Sequence, residues 1–334
     1  MRAVKSMITL ILVMALVLPA YAFTIKIGSS APERSPWHKA LRELARQWKS
    51  ITNGLIELKI YPGGIAGNEA DMVRKMRMGI LGGAVVSNKG FISMNPDIYV
   101  LNIPFLITTE GELNYVLDKM KPAFGEAIKK KGFKLVIMFM AGWVHFFTRK
   151  PVNYPDDLKK HKLAFTPGES EMEQTWKKSG YHIVPTDLKD LLMALQSGMV
   201  NAFLLPPLLA GSGQYFPLAP HMSELRIAPL IGGMVLSEKT WKRIPEKYRE
   251  KMMQIALKIS GELYEKTVKL EKEAIEAMKK HGLKIVKFPD DSLEKWRAAS
   301  AKGMDQLIGK AFSKEIYDRI IHLLEEYRKK NASN

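Results

Sequence analysis

Phe23-Thr24-Ile25-Lys26-Ile27, then Ser35-Pro36-Trp37, then Ile56-Glu57-Leu58-Lys59-Ile60 form the stretch on which the fold class turns. Phe23, Ile25 and Ile27 alternate with polar residues, the period of two that sets one face of a strand against a core. Ser35 before a proline suits the start of a helix, and Trp37, Leu41, Leu44, Trp48 and Ile51 then recur at steps of three and four, which predicts one buried helical face. Gly54 ends that helix. Ile56, Leu58 and Ile60 alternate as a second strand before a Pro62-Gly63-Gly64 turn. Asn68 is placed to cap a further helix that carries Met72, Val73 and Met76 inward and stops at Gly79. Strand, helix, strand, helix predicts a largely parallel sheet covered on both faces.

Farther along, residues 135–147 read as a strand and residues 199–205 as a buried one. Between them Asp187 is expected to cap a helix that buries Leu188, Leu191, Leu192 and Leu195 and closes at Gly198. Residues 245–281 form one lysine-rich helical pattern, which at about 1.5 Å per residue extends roughly 50 Å, enough to run across two domains. Helical segments fill 291–330, and no internal repeat is present.

Residues 1–22 read as a secretory leader: Arg2 and Lys5 form a basic start, residues 7–18 an apolar core, and Ala20-Tyr21-Ala22 an A-x-A cleavage site. The apolar run is shorter than the roughly 20 residues a membrane span requires. The chain of 334 residues contains no cysteine, which excludes disulfides, thiolate metal sites, thiol nucleophiles and a lipid-bearing cysteine. Its formal charge of +17 is spread along the chain. Lys129-Lys130-Lys131 and Lys279-Lys280 sit at helix ends before a glycine, where cations oppose the negative end of the helix dipole. A basic surface of this kind also suits anionic lipid headgroups or an acidic partner, whereas no aromatic-basic motif supports nucleic acid.

Seven histidines are scattered without compact ligand spacing, so no metal site is expected. Gly168-Glu169-Ser170-Glu171 lacks the second glycine of a nucleophile elbow. Glycines 63, 64 and 67 precede a helix without a following Lys-Ser/Thr, which favours a turn over a nucleotide loop. Asp156-Asp157 and Asp290-Asp291 are ordinary helix openings. Nothing in the chain calls for catalysis or a cofactor.

Asp157-Leu158-Lys159-Lys160-His161-Lys162-Leu163-Ala164-Phe165-Thr166-Pro167 resembles the D-L-K-G-x-K-[IL]-R-x-P signature of solute-binding proteins of tripartite ATP-independent periplasmic (TRAP) transporters, DctP type, with alanine where the family has arginine. Other segments are similar in the same order. Ile25-Lys26-Ile27-Gly28 looks like the family's first strand, Tyr61-Pro62 with Gly67 like its Y-P-x-x-x-L-G turn, and Asn102-Ile103-Pro104-Phe105-Leu106 like x-L-P-F-L. Ala194-Leu195-Gln196-Ser197-Gly198-Met199-Val200-Asn201 resembles A-L-Q-x-G-x-V-D. The resemblance implies a two-domain α/β periplasmic solute-binding fold of type II-like form, with a long helix spanning both domains and ligand held in the cleft between them. The expected division is residues 1–22 as signal, 23–141 with about 232–270 as the first domain, and 142–231 with about 271–334 as the second, C-terminal helices included.

Carried over by resemblance, the ligand site comprises Ser30, Asn68, Glu69, Ser87, Asn88, Trp143, Val144, Phe146, Ala164, Phe165, Leu188, Leu204 and Leu205. Gly142-Trp143-Val144 falls on G-x-R, and Val200-Asn201-Ala202-Phe203-Leu204-Leu205-Pro206 on V-D-G-x-E-N-P, so polar anchors become apolar. An arginine clamp contributes about 1.5–3 kcal/mol for each charge-assisted bond, and a carboxylate buried without one costs several kcal/mol. Burying roughly 300 Å² of apolar ligand offers about 7.5 kcal/mol before association costs. The expectation is therefore a hydrophobic or weakly polar ligand, delivered to small and large membrane permease subunits. A periplasmic helical-repeat partner, as in some TRAP systems, is a further expected partner.

Three readings stay open: a TRAP receptor, a non-transporting ligand sensor or interaction subunit on the same fold, and an extracytoplasmic enzyme. The same apolar residues also suit a plain core. If the leader is cleaved as read, mass spectrometry of the protein from its native host finds Phe23 at the N-terminus; an intact Met1 in the membrane fraction contradicts the leader.

Overall fold

A computed structural model describes residues 22–165 and 170–332. The leader reading therefore lies outside the described residues except for Ala22. Strand β1 (Phe23–Ser29), the helix Pro36–Ile51, strand β2 (Ile56–Tyr61) and the helix Glu69–Arg77 follow the order read from the sequence, and strand β3 (Gly83–Ser87) comes next. Ser35 Oγ accepts the His38 N–H at 3.2 Å, and Asn68 Oδ1 accepts the Asp71 N–H at 2.9 Å, so both helices begin on side-chain caps. Trp37, Leu41, Leu44 and Trp48 are buried from the first helix, and Met72, Val73 and Met76 from the second. β1 pairs in parallel with β2 and β3.

The middle of the sheet departs from the parallel expectation. Strands β4 (Phe133–Thr148), β5 (Lys162–Phe165), β6 (His182–Pro185), β7 (Ala202–Leu205), β8 (His221–Ser223), β9 (Ala228–Ser237) and β10 (Lys284–Val286) complete the set. The strand order is β2-β1-β3-β9-β4-β7-β5-β6, with β8 beside β4 and β10 beside β8. β9 runs antiparallel to both β3 and β4, and β4 runs antiparallel to β7 and β8. Parallel outer strands thus hang from an antiparallel pair that passes from one lobe to the other. β9 is a nearly unbroken buried run, APLIGGMVLS, without the alternation that identifies a half-buried strand.

The pattern at 245–281 is a single helix, Glu246–Lys280. Its buried stripe, Met252, Ala256, Ile259, Leu263, Thr267 and Met278, serves the core of the first lobe at one end and that of the second at the other. It packs on Pro36–Ile51, on β4 and on the short helix Pro207–Ser212. Trp48, fully buried, donates its indole N–H to the Met252 carbonyl at 3.0 Å, which fixes the helix against the first lobe. No helix among the described residues is long and apolar enough to cross a membrane.

Two local readings change. Leu188 opens a short 3-10 turn, Leu188–Asp190, and is 39% exposed rather than buried, because the α-helix begins only at Leu191. Asp187 precedes that turn without a side-chain cap bond. The last helix, Lys314–Ala332, which the sequence reading assigns to the second domain, packs on Glu110–Lys130 of the first.

The contact is held by Arg328, whose Nε donates to Glu112 Oε1 at 2.6 Å while its guanidinium also donates to the Leu106 carbonyl at 2.8 Å. Glu112 Oε2 accepts the Thr108 and Thr109 N–H groups and closes a capping box with Thr109. Burial works to raise this carboxyl, but Arg328 and the two N–H groups override it and hold it below its usual range. Arg328→Met leaves Glu112 buried without its cation, and we expect a loss of about 1–3 kcal/mol, tempered because the arginine is partly solvated. Urea unfolding measures this; a loss under about 0.5 kcal/mol contradicts it.

Candidate ligand cleft

The strand directions bring several chain ends to one place. β1 ends at Ser29 and β3 at Ser87, both pointing toward the crossing, and β5 and β7 end there from the other lobe. The crossing itself pairs Gly142, Trp143 and Val144 of β4 with Leu230, Pro229 and Ala228 of β9, next to a register shift between Met140 and Gly142. Gly142 has φ of 143°, and a Cβ there would stand 2.4 Å from Glu271 Oε1 and 3.0 Å from Pro206 Cβ. Only glycine lets the strand pass so close to the long helix and to the end of β7.

Side chains from the first lobe lock onto the crossing. Asn88, buried, donates from Nδ2 to the Pro229 carbonyl at 3.3 Å and accepts the Ile231 N–H through Oδ1 at 2.6 Å. Glu69, also buried, accepts from the Ser87 N–H, the Ser87 hydroxyl and the Gly90 N–H. On the other side Ser223 Oγ accepts the Phe146 N–H at 3.0 Å, and the Ser223 carbonyl meets His145 Nδ1 at 2.8 Å. Burial pushes that histidine down to about 4, with the Arg226 charge acting in the same sense and the Ser223 bond opposing.

A cluster of charges lies behind the crossing. The Arg226 guanidinium sits 4.9 Å from the centroid of the Trp143 ring and 3.7 Å from Glu110. Tyr264 of the long helix donates its hydroxyl to Glu110. Glu271, two turns farther along the same helix, is pushed up to about 7 by burial, against the pull of Arg226 and the Trp143 N–H. None of Arg226, Glu110, Tyr264 and Glu271 was singled out from the sequence. Glu271 had one visible signal, since it continues the buried stripe four residues after Thr267.

The residues expected at the site separate into three groups. Ala164, half-buried in β5, packs against the core of the second lobe, while Ser30, Ser87, Val144, Leu204 and Leu205 are half-buried in or next to the strands that meet at the crossing. Glu69 and Asn88 are there too, but their polar atoms are used to hold β3 against β9. Trp143, Phe146 and Phe165 are buried in the main core, with Phe146 stacked obliquely on Trp296 at 5.1 Å, so they form walls rather than an open lining. Asn68 is exposed and serves as a helix cap, and Leu188 is exposed as described above. Thr166 and Pro167, which complete the signature after Phe165, lie outside the described residues.

Residues 27–311 match the family described as bacterial extracellular solute-binding protein, family 7, or DctP, and the chain belongs to that family. Among curated proteins it is 20% identical over 269 residues to the 2,3-diketo-L-gulonate-binding periplasmic protein YiaO of Escherichia coli, covering 79% of this chain and 81% of that one. Among solved structures it is similar to the sugar acid binding protein of Advenella mimigardefordensis in complex with galactonate, with a TM-score of 0.83, 18% identity, and coverage of 92% of this chain and 99% of the other. A TRAP periplasmic solute-binding protein of Desulfovibrio salexigens with bound orotic acid gives a TM-score of 0.82 at 20% identity, with the same coverage. The fold is thus the two-domain TRAP receptor fold. The hydrophobic cargo expected from Ala164 and Val144 needs correcting, because both of these solved relatives hold acids.

Glu271 gives the crossing a measurable pH dependence. An unfolded glutamate ionises near 4.5, whereas the folded protein keeps this proton up to about 7. Between those values only the folded state binds the proton, so its stability falls as pH rises through the window, by on the order of 3 kcal/mol in all. Glu271→Gln removes that slope. His145 contributes an opposite slope on the acid side in both proteins, so the difference between wild type and variant isolates Glu271. Urea midpoints at pH 5 and pH 8 are expected to move in the variant's favour at the higher pH; parallel profiles for the two proteins contradict the assignment.

Proposed function

We propose that this chain is the periplasmic substrate receptor of a TRAP transporter, capturing a small organic molecule between its two lobes and passing it to the small and large permease subunits. The observation that carries the ligand reading is the pair Val144 and Ala164, which fall where the resemblance calls for arginine: Val144 is half-buried at the crossing, and Ala164 is half-buried in β5 against the core of the second lobe. A carboxylate buried against them would lose several kcal/mol of hydration with no ion pair in return. The cargo is therefore a small organic molecule whose carboxylate, where it carries one, is not anchored at Val144 or Ala164. Lys89, half-buried and next to Asn88 in the chain, is one candidate cation for it. The residue division at 23–141 with 232–270 against 142–231 with 271–334 is proposed for the two closing bodies, with the last helix riding on the first.

Matched ligand pairs test this directly: galactonate against galactose, and orotic acid against uracil, by calorimetry on protein freed of co-purified ligand. Without an arginine clamp, affinity within a pair is expected to differ by less than about tenfold, or 1.4 kcal/mol. Ala164→Arg should shift preference to the acid member. A hundredfold preference of the wild type for the acids, insensitive to charge insertion at 164, would overturn the ligand reading and leave the receptor assignment to be judged by whether any member binds.

A further inference from the structure

A cavity of about 510 Å³ opens at the end of the first lobe remote from the cleft, between the helix Glu110–Lys130, the start of β4, the helix Glu238–Arg243 and Arg249 on the long helix. Phe133 at the start of β4 pairs with Ser237 at the end of β9. The crossing at Gly142 lies roughly nine residues farther along the strand, about 30 Å away at 3.3 Å per residue. The two sites share no residue.

The lining is basic. Lys121 and Lys129 come from one wall, Lys134 from the strand, and Lys242 and Arg249 from the opposite wall, against two carboxylates, Glu126 and Glu238. Lys129 stands 3.7 Å from Glu126 in an exposed pair of small energetic value, and the exposed Lys242 stands 4.0 Å from the half-buried Glu238, at the outer limit of an ion pair. Lys134 has no carboxylate within 4 Å among the described residues. Instead Lys134 Nζ and the Arg249 guanidinium lie 5.5 and 5.7 Å from the centroid of the Trp241 ring, which keeps two positive charges together over one indole. Arg249 is fixed further by donating to the Ile244 and Lys242 carbonyls.

Glu238 Oε2 is buried without a hydrogen-bond partner and out of an occupant's reach. Gly125 leaves the helix wall bare, and a Cβ built there meets nothing within 4 Å. Set against the five cations are Glu126, Glu238 and Asp118, which stands 3.8 Å from Lys121, so about two positive charges remain; a phosphate, with its higher charge and three acceptor oxygens, matches them better than a single carboxylate.

We propose that this cavity is a second binding site, taking a phosphate group, as in glycerophosphate, either free or as a lipid headgroup. The site is independent of what the cleft carries. The overall positive charge of the chain favours approach to either source.

The experiment uses the full mature protein with two probes: sn-glycerol 3-phosphate by calorimetry, and phosphatidylglycerol vesicles against phosphatidylcholine vesicles by co-sedimentation, both near 0.1 M salt. The variants are Lys134→Gln with Lys242→Gln, and Gly125→Glu, which places a carboxylate in open space. Lys266→Gln with Lys269→Gln, on exposed turns of the long helix, is the charge-matched control. The cavity variants are expected to weaken binding about tenfold or more and the control less than twofold, with thermal midpoints showing all three folded. Loss of soluble phosphate binding alone assigns a free phosphorylated metabolite, and loss that appears only with vesicles assigns a lipid headgroup; either supports the site. Absence of binding to both probes, or equal losses in cavity and control variants, overturns it.

Discussion

The structure depends on one unbroken strand. β4 pairs with β9 from Phe133 to Val144, with register shifts at Leu135/Ile137 and Met140/Gly142, and with β7 from His145 to Thr148, so one strand ties the first lobe, the crossing and the second lobe together. A slip of one residue anywhere along it would turn every side chain to the opposite face. The long helix Glu246–Lys280 fixes the same relation from behind, with its buried stripe shared between both cores. The crossing of β4 lies beside the register shift at Met140 and Gly142.

That crossing is also where the molecule keeps its costliest polar groups. Glu271 lies against Gly142 under a strand that tolerates no side chain there, and its charge is suppressed by burial rather than neutralised by a close pair. Arg226 lies over Trp143 and near Glu110, joining the second lobe's return segment to the first turn of Glu110–Lys130. Asn88 and Asn102 reach the same Pro229 carbonyl from the first lobe. Polar groups in such a place weaken a core but hold one arrangement of the strands, and small movements there alter their partners.

Much of the outer fold was legible because its signals are local. The caps at Ser35 and Asn68, the inward residues Met72, Val73 and Met76, and the full extent of the long helix follow from short-range chemistry and from a strong helical period. Leu188 was misread because an apolar residue just after an acidic cap resembles the start of a buried helix, and only its neighbours in space reveal a 3-10 turn. β9 was missed since both of its faces are covered, which removes the alternation a strand otherwise shows. The charges beside Trp143, at Glu110, Arg226 and Glu271, were illegible because no local pattern marks them as neighbours.

By itself the sequence determined the strand-helix units, the spanning helix and the family resemblance, all of which are written in residues near one another in the chain. Only the tertiary structure decided that the two central strands run antiparallel, that the last helix returns to the first lobe, and that Glu110, Arg226 and Glu271 meet beside Trp143. It alone could set five cations around one cavity at the far end of that lobe. The physical reason is that pairing partners, burial and charge neighbours depend on contacts between residues a hundred or more positions apart, and no local period or propensity encodes those.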